Sequence, residues 1–374
     1  MIIAGEASGD LHGSTLIDEL LKIDPTLEIS GIGGNRMIKS GLKKLHHISE
    51  MSFLGFFEVI KHLPFIKKVK SDLINHVKKE NIKTVVLIDY PGFNLSIAKS
   101  FKQLGIKNIY YISPQIWAWG KGRIKKIKNL ISRMIVFFPF EKEMYTYNQI
   151  HSDFVGHPLV NKIENYNFLP KDDLFKKYNL DIQKDLLVIL PGSRKQEISE
   201  FFNDLIQGAE KISNEFNFQI VVACADNIDE NYIRKFSSVK NYKVIKNDTY
   251  SLLKNSAFAI VKSGTSTLET AIIGAPFIVV YKTNFLTYLI GKALIKIKNI
   301  ALVNIVAEKT IVKELIQNDV NPANIFYEAK GILSDKKQMN KLKNDLSEIK
   351  RKLFTEGNPS KKAAEIIYSE LNVF

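Results

Sequence analysis

The chain has 374 residues, 45% hydrophobic and 25% charged, with a formal net charge of +14. That length fits two domains of ordinary size, and the composition is that of a folded soluble protein. No apolar run reaches the roughly 18–20 residues of a membrane span, residues 1–5 carry no basic, apolar leader, and the single cysteine, Cys224, excludes an intramolecular disulfide and fits a reducing cytoplasm.

Lysine supplies most of the positive charge, while arginine stands only at positions 36, 123, 133, 194, 234 and 351. Lys121, Arg123, Lys125, Lys126, Lys128 and Arg133 follow one another with no acidic residue between them. This run reads either as a solvated helix face or as a patch attracting anionic lipid or a phosphorylated substrate.

Residues 1–4 read as a short strand ended by Gly5-Glu6-Ala7-Ser8-Gly9-Asp10, and the helix that follows places Leu11, Leu16, Leu20 and Leu21 among its apolar positions. Residues 28–32 form a second strand running into the partial glycine fingerprint Gly31-Ile32-Gly33-Gly34. Strand, turn, helix and strand in this order open a doubly wound α/β domain.

Residues 51–70 differ in kind. Phe53, Leu54, Phe56, Phe57, Ile60, Leu63, Phe65 and Ile66 are more apolar than one helix face requires, and lysines border them. The segment is either a core helix broken at Pro64 or an interfacial element that dips into a membrane or holds acyl chains.

Residues 84–88 are a buried parallel strand. Asp89 falls at its C-terminal edge, where open α/β sheets place ligand-binding groups. The chain then turns through Tyr90-Pro91-Gly92-Phe93-Asn94 into a helix, so Asp89 serves as a turn cap or as a general base. A strand at 109–112 feeds residues 113–120, which contain both tryptophans, Trp117 and Trp119, and read as a wall for a ligand. Strands at 133–138 and 154–159 complete the first half. The polar connection 161–173 marks the boundary, giving domains 1–160 and 161–374.

The second half repeats the architecture, with strands at 186–190, 219–223, 242–245, 258–261 and 277–281. The first ends at Pro191-Gly192-Ser193-Arg194. This is either an ordinary βα turn with an exposed arginine or an anion cradle, in which the backbone around Gly192 and Ser193 offers N–H groups beside Arg194. Ser263-Gly264-Thr265 opens another helix, with Glu269 one turn in. That is a second phosphate or hydroxyl site, or a Ser/Thr cap with a dipole-favoured glutamate. Residues 285–297 are apolar with lysines and form a second candidate for membrane contact; the tail from Pro322 reads as helices.

No GxxxxGK[S/T] motif is present, the seven histidines are scattered, and no Asp-x-Asp pair stands ready for a metal–nucleotide. The expectation is chemistry on a diphosphate without metal or cofactor, in a cleft between two doubly wound domains.

Taken together these stretches resemble the lipid-A-disaccharide synthase family, GT-B-fold glycosyltransferases of the lipopolysaccharide pathway. The resemblance is carried by residues 4–10, 51–59, 88–94, 111–119, 190–194 and 262–269, and continues through Val303-Asn304 to residues 313–317. It implies two Rossmann-like domains facing a central cleft, the first for the acceptor and the second for the UDP-sugar, with terminal helices able to pack back on the first. It also implies transfer of 2,3-diacylglucosamine from its UDP derivative to 2,3-diacylglucosamine 1-phosphate, giving a β(1→6) disaccharide 1-phosphate and UDP with inversion.

By the same resemblance Asp89 is the base for the acceptor hydroxyl, and Arg194, with Gly192 and Ser193, neutralises the diphosphate. Ser263, Gly264, Thr265, Glu269 and Asn304 line the nucleotide pocket, and Gly5, Ser8 and Gly9 form the acceptor-side loop. Acyl-chain substrates favour the interfacial reading of residues 51–70 and a peripheral place on the cytoplasmic face of the inner membrane, against an anionic surface and without nucleic acid. The sequence departs from the family pattern at Gly92, where a second acid is common, and at Val303 and Glu308. Two other readings stay open: a GT-B transferase or epimerase acting on another UDP-sugar, and a basic, non-catalytic binding protein.

Overall fold

The computed structural model describes residues 1–51, 62–117, 122–283 and 299–371. The chain divides into two compact units, one of residues 1–158 with 353–374 and the other of residues 159–352.

The first unit is built on a parallel sheet ordered β3-β2-β1-β4-β5-β6-β7. Its strands are β1 (Ile2–Ala4), β2 (Ser30–Gly33), β3 (Lys43–His47), β4 (Thr84–Ile88), β5 (Lys107–Tyr111), β6 (Arg133–Val136) and β7 (Ser152–Phe154). Between them run helices α1 (Ala7–Ile23), α2 (Asn35–Lys39), α3 (Leu63–Lys79), α4 (Pro91–Gln103), α5 (Arg123–Leu130) and α6 (Pro139–Tyr147). Every residue of β4 is buried, as helices on both faces of a parallel sheet require. Residues 154–159, expected as a strand, divide between the end of β7 and a helix that starts at Pro158.

The order of the sheet reverses between β1 and β4, which pair directly through Ile2–Val86, Ile3–Leu87 and Ala4–Ile88. A switch point of this kind leaves a crevice beyond the carboxyl ends of the two strands. It brings the turn at Gly5 beside the turn at Asp89.

The C-terminal helix α13 (Pro359–Leu371) completes this unit. Ala363, Ala364 and Ile367 are buried with Leu16, Ile17 and Leu20 of α1 in one apolar cluster. Glu370 accepts from Arg133 Nη1 at 2.5 Å and pairs with Lys107 at 3.1 Å. The boundary expected at residue 161 thus has its counterpart between residues 158 and 159, and the last stretch of chain returns to the first unit.

The second unit carries a parallel sheet ordered β10-β9-β8-β11-β12-β13. Its strands are β8 (Asp185–Leu190), β9 (Phe218–Ala223), β10 (Lys243–Ile245), β11 (Ser256–Lys262), β12 (Phe277–Tyr281) and β13 (Glu314–Ile316). Its helices include α7 (Lys195–Phe216), α8 (Thr249–Lys254), α9 (Thr265–Ile273), α10 (Leu302–Ala307), α11 (Pro322–Leu333) and α12 (Lys336–Leu353). Here the order reverses between β8 and β11, which are paired from Leu186 to Leu190. The turn after Leu190 and the turn after Lys262 therefore share the second crevice.

Among the described residues no helix is long and apolar enough to cross a membrane. Of the expected membrane-contact residues, Phe53, Leu54, Phe56, Phe57 and Ile60 lie outside the described residues, as do residues 285–297. Leu63 is 44% exposed, whereas Phe65 and Ile66 pack against the core of the first unit. Pro64 stands in the first turn of α3, where its missing N–H costs nothing.

Candidate active site

In the first unit the polypeptide leaves β4 through two consecutive left-handed residues, Asp89 (φ 43°) and Tyr90 (φ 47°). Neither is glycine, so the turn is strained and must be held by its surroundings. The holding bonds are visible. Asp89 N–H donates to Tyr111 O at 3.2 Å. The Asp89 carbonyl accepts from Tyr110 Oη at 2.5 Å and from Asn94 Nδ2 at 2.7 Å, and Asn94 Nδ2 also reaches Ile88 O at 3.1 Å.

These bonds fix the backbone through its own polar groups and leave the carboxylate available. Burial pushes its pKa up to about 6, helped by the negative charge of Glu6 and opposed by a hydrogen bond from the Tyr90 backbone. A partly desolvated carboxylate at a strand end, titrating just below neutrality, is suited to general-base work.

The facing turn is shaped for this neighbour. A Cβ on Gly5 would lie 2.2 Å from Tyr90 Cδ1, so residue 5 must lack a side chain. Gly9 instead faces the strands, where its Cβ would stand 3.1 Å from Ala4 Cβ, and Ser8 is exposed in the first turn of α1. Of the expected acceptor-side residues, Gly5 is thus the one packed against the Asp89 turn. Asp10 holds the backbone together nearby. Its carboxylate accepts from the N–H groups of Gly34 (2.7 Å), Arg36 (3.2 Å) and Met37 (3.0 Å), capping α2.

The loop after β5 is strapped to α6. Trp117 Nε1 donates to Glu141 Oε1 at 3.2 Å, the Trp117 ring meets Phe140 edge-on at 5.5 Å, and Ser113 Oγ lies 2.8 Å from Tyr145 Oη. Glu141 is 2% exposed. Burial lifts its pKa to about 8, against the hydrogen bonds from Trp117 and Ser113. Sequence reasoning missed it, because an acid in a helix's first turn reads as a dipole-favoured surface residue. Trp119 lies outside the described residues.

In the second unit a pocket of about 330 Å³ opens at the switch point, lined by Gly192, Ser193, Lys262, Ser263, Gly264 and Thr265, with Glu269 at its side. Gly264 caps α9 at φ 157°, ψ −163°, a conformation that only glycine adopts readily. Glu269 Oε1 accepts from Tyr250 Oη at 2.5 Å. The cation in the pocket lining is Lys262. Its side chain is 15% exposed, and its Nζ lies 2.8 Å from Glu197 Oε1.

Arg194 is 80% exposed and reaches the same Glu197 oxygen only at 3.5 Å, from outside the lining. Of the two cations near the small-residue turn, Lys262 stands in the lining and Arg194 outside it. Asn304 likewise does not line the pocket. It is fully buried, its Nδ2 donates to Val312 O and Glu314 Oε1 at 2.8 and 2.7 Å, and its Oδ1 accepts from the N–H groups of Ile311 and Val312. With donor and acceptor both engaged, it braces α10 against the segment leading to β13.

Among the described residues no three His, Cys, Asp or Glu side chains cluster as a metal site would. The second unit thus offers a pocket with a lysine and a helix N-terminus, and the first offers a carboxylate of raised pKa.

Comparison with known proteins shows the family and the fold. The family described as lipid-A-disaccharide synthetase matches residues 1–367. The lipid-A-disaccharide synthase of Geobacter sulfurreducens is 36% identical over 374 residues, covering 99% of this chain and 97% of that one. Among solved structures, the calicheamicin glycosyltransferase CalG4 superposes with a TM-score of 0.60 at 14% identity, covering 100% of this chain and 98% of that one. The UDP-GlcNAc 2-epimerase of Methanocaldococcus jannaschii, solved with UDP-GlcNAc and UDP, gives 0.56 at 14% identity, covering 98% and 99%. At such identities these structures speak for the fold, a GT-B pair of Rossmann-like sheets.

Proposed function

Since this chain belongs to the lipid-A-disaccharide synthetase family and is a hexosyltransferase of lipid A biosynthesis, we propose that it joins UDP-2,3-diacylglucosamine to 2,3-diacylglucosamine 1-phosphate with inversion. The observation that carries the mechanism is the Asp89 carboxylate, held at the switch point of the first sheet with its pKa raised to about 6. At neutral pH it is ionised and ready to accept a proton.

Asp89 takes the proton of the acceptor's 6-hydroxyl as that oxygen bonds to the anomeric carbon of the donor. The bond from that carbon to the diphosphate breaks on the opposite side, and the electron pair leaves with UDP. One displacement with one base inverts the anomeric centre and needs no covalent intermediate. The developing charge on the diphosphate is stabilised by Lys262 and by the N-terminus of α9 behind Gly264, with Arg194 contributing from the pocket's exterior. Glu269, held by Tyr250, accepts from the ribose hydroxyls. The epimerase solved with UDP has the same fold, which supports a nucleotide at this switch point.

The reading extends to a peripheral place at the cytoplasmic face of the inner membrane, supported by the exposed Leu63 and by the exposed lysines at positions 67 and 68 of α3. Mass spectrometry of the product formed from the two acylated substrates tests the whole reading. A disaccharide 1-phosphate with stoichiometric UDP is expected. An epimerised donor of unchanged mass, or equal UDP release with acylated and non-acylated acceptors, would overturn it.

A further inference from the structure

We infer that Lys70, Arg123 and Lys126 form a binding site for the phosphate of the acceptor, beside the Asp89 turn. This rests on the reading of Asp89 as the base and adds to it a ligand class for side chains that the mechanism above leaves unused.

The placement follows from packing. Helices α3, α4 and α5 share one apolar cluster on the first sheet, through Val69 and Leu73, Phe93 and Ile97, and Ile127. Lys70 leaves α3 toward α4, where its Nζ donates to Ser96 Oγ and stands 5.8 Å above the ring of Phe93. The Phe93 ring lies 6.0 Å from that of Tyr90, the residue after Asp89. Partial burial lowers the pKa of Lys70, and the charge of Lys126 on α5 acts in the same direction. Arg123 is one turn earlier on the same helix, so the two project from one face. Its charge is felt at the hydroxyl of Tyr110, the group that donates to the Asp89 carbonyl.

Among the described residues none of these three cations is paired with a carboxylate. Lys107 and Arg133, by contrast, are paired with Glu370, and Lys262 with Glu197. Like charges gathered without a counter-charge repel one another, and a bound anion relieves that repulsion. A phosphate monoester with several acceptor oxygens suits two ammonium groups and a guanidinium. The acceptor's 1-phosphate lies across a single sugar ring from its 6-hydroxyl. An acceptor whose hydroxyl meets Asp89 therefore carries its phosphate only one ring away from that carboxylate, and the contacts from Tyr90 to Phe93 and from Phe93 to Lys70 lead in that direction.

The test uses Arg123→Ala/Lys126→Ala, two exposed positions whose loss does not open the core, and Lys70→Ala separately. Each protein is assayed with the acceptor and with its analogue lacking phosphate. The wild type is expected to prefer the phosphorylated acceptor. In the variants that preference falls by about tenfold or more through acceptor KM, with donor KM and turnover of the phosphate-free acceptor unchanged. Retained preference would overturn the site. Equal loss on both acceptors, together with lost binding to phosphatidylglycerol vesicles, would assign the cations to the lipid surface instead. Calorimetric titration with glucosamine 1-phosphate keeps the two proposals apart. If wild type makes no disaccharide, the reading of the reaction fails, while heat of binding present in wild type and absent in the variants still supports the phosphate site, and its absence from both refutes it.

Discussion

The ring of Tyr90 occupies the space that a side chain at Gly5 would need, with Tyr90 Cδ1 2.2 Å from where a Cβ would stand. The two residues belong to turns that follow paired strands, so the contact fixes one crevice wall against the other. Gly5→Ala must push the ring away and disturb the left-handed turn that carries Asp89. The expected cost is about 1–3 kcal/mol of stability and about a hundredfold in kcat, the scale of an ångström-sized misplacement. Adding Tyr90→Ala restores the space. The double variant should recover stability relative to Gly5→Ala alone, as read by chemical denaturation.

Asp89 sets an acidic limb in the pH profile. Below about pH 6 the carboxyl is protonated and cannot accept a proton, so kcat/KM should fall about tenfold per pH unit. Glu6 raises this pKa by its charge, so Glu6→Gln moves the limb to lower pH. Gly92→Asp acts in reverse: a Cβ at Gly92 meets nothing within 4 Å, and a second carboxylate one turn away moves the limb up. Asp89→Asn should lose about 10²–10⁴ in rate while keeping its fold. Because the folded pKa lies above that of a free carboxyl, the native state holds extra proton between about pH 4 and 6 and loses stability as pH rises through that window. Asp89→Asn is therefore the more stable protein at neutral pH.

Much of this was legible in the sequence, and the rest was hidden for definable reasons. The buried strands announced themselves as apolar runs ended by small-residue turns; the strand-end position of Asp89 could be read from one of them, whereas its role as a base was implied only by the family resemblance. β3 and β13 escaped because an edge strand reading Lys-Lys-Leu-His-His is half polar, and one of three residues has no period to detect. The family resemblance put Asn304 in the nucleotide pocket, yet its partners are backbone groups and the Glu314 carboxylate, which only the folded chain brings near it. Between Arg194 and Lys262 the choice depends on which side chain is turned inward at the ends of β8 and β11. No pattern of residue types encodes that.

Lys262 is the sharper handle on the donor. Lys262→Ala should raise the donor KM by about tenfold or more, since a cation in a pocket of low exposure is screened less than one at the surface. Arg194→Ala, at an exposed position, should cost less and lose more of its effect as salt is added. Glu197→Gln frees Lys262 from its ion pair and should tighten product UDP while leaving acceptor KM alone. Titration of UDP against the three variants checks the order, and a larger effect at Arg194 than at Lys262 would return the diphosphate to the arginine.

Glu141 separates a buried acid's packing from its charge. Its carboxyl ionises only near about pH 8 in the folded chain, against an ordinary value of 4.5. Between those values the folded state holds a proton that the unfolded state has released, so this residue's contribution to stability declines with rising pH and levels off above about pH 8. Glu141→Gln keeps the shape and the acceptor for Trp117 Nε1 but cannot ionise, so it should remove that slope and be the more stable protein under alkaline conditions. Glu141→Ala leaves the indole N–H without its partner and opens a cavity, for a cost of about 1–3 kcal/mol from the lost hydrogen bond alone. Urea midpoints for the three proteins at acid, neutral and alkaline pH decide the matter: a slope that survives in the glutamine variant would place the titration elsewhere. If the loop held by Glu141 is a wall of the acceptor site, acceptor KM should rise in Glu141→Ala, recover in Glu141→Gln, and leave donor KM unmoved in both.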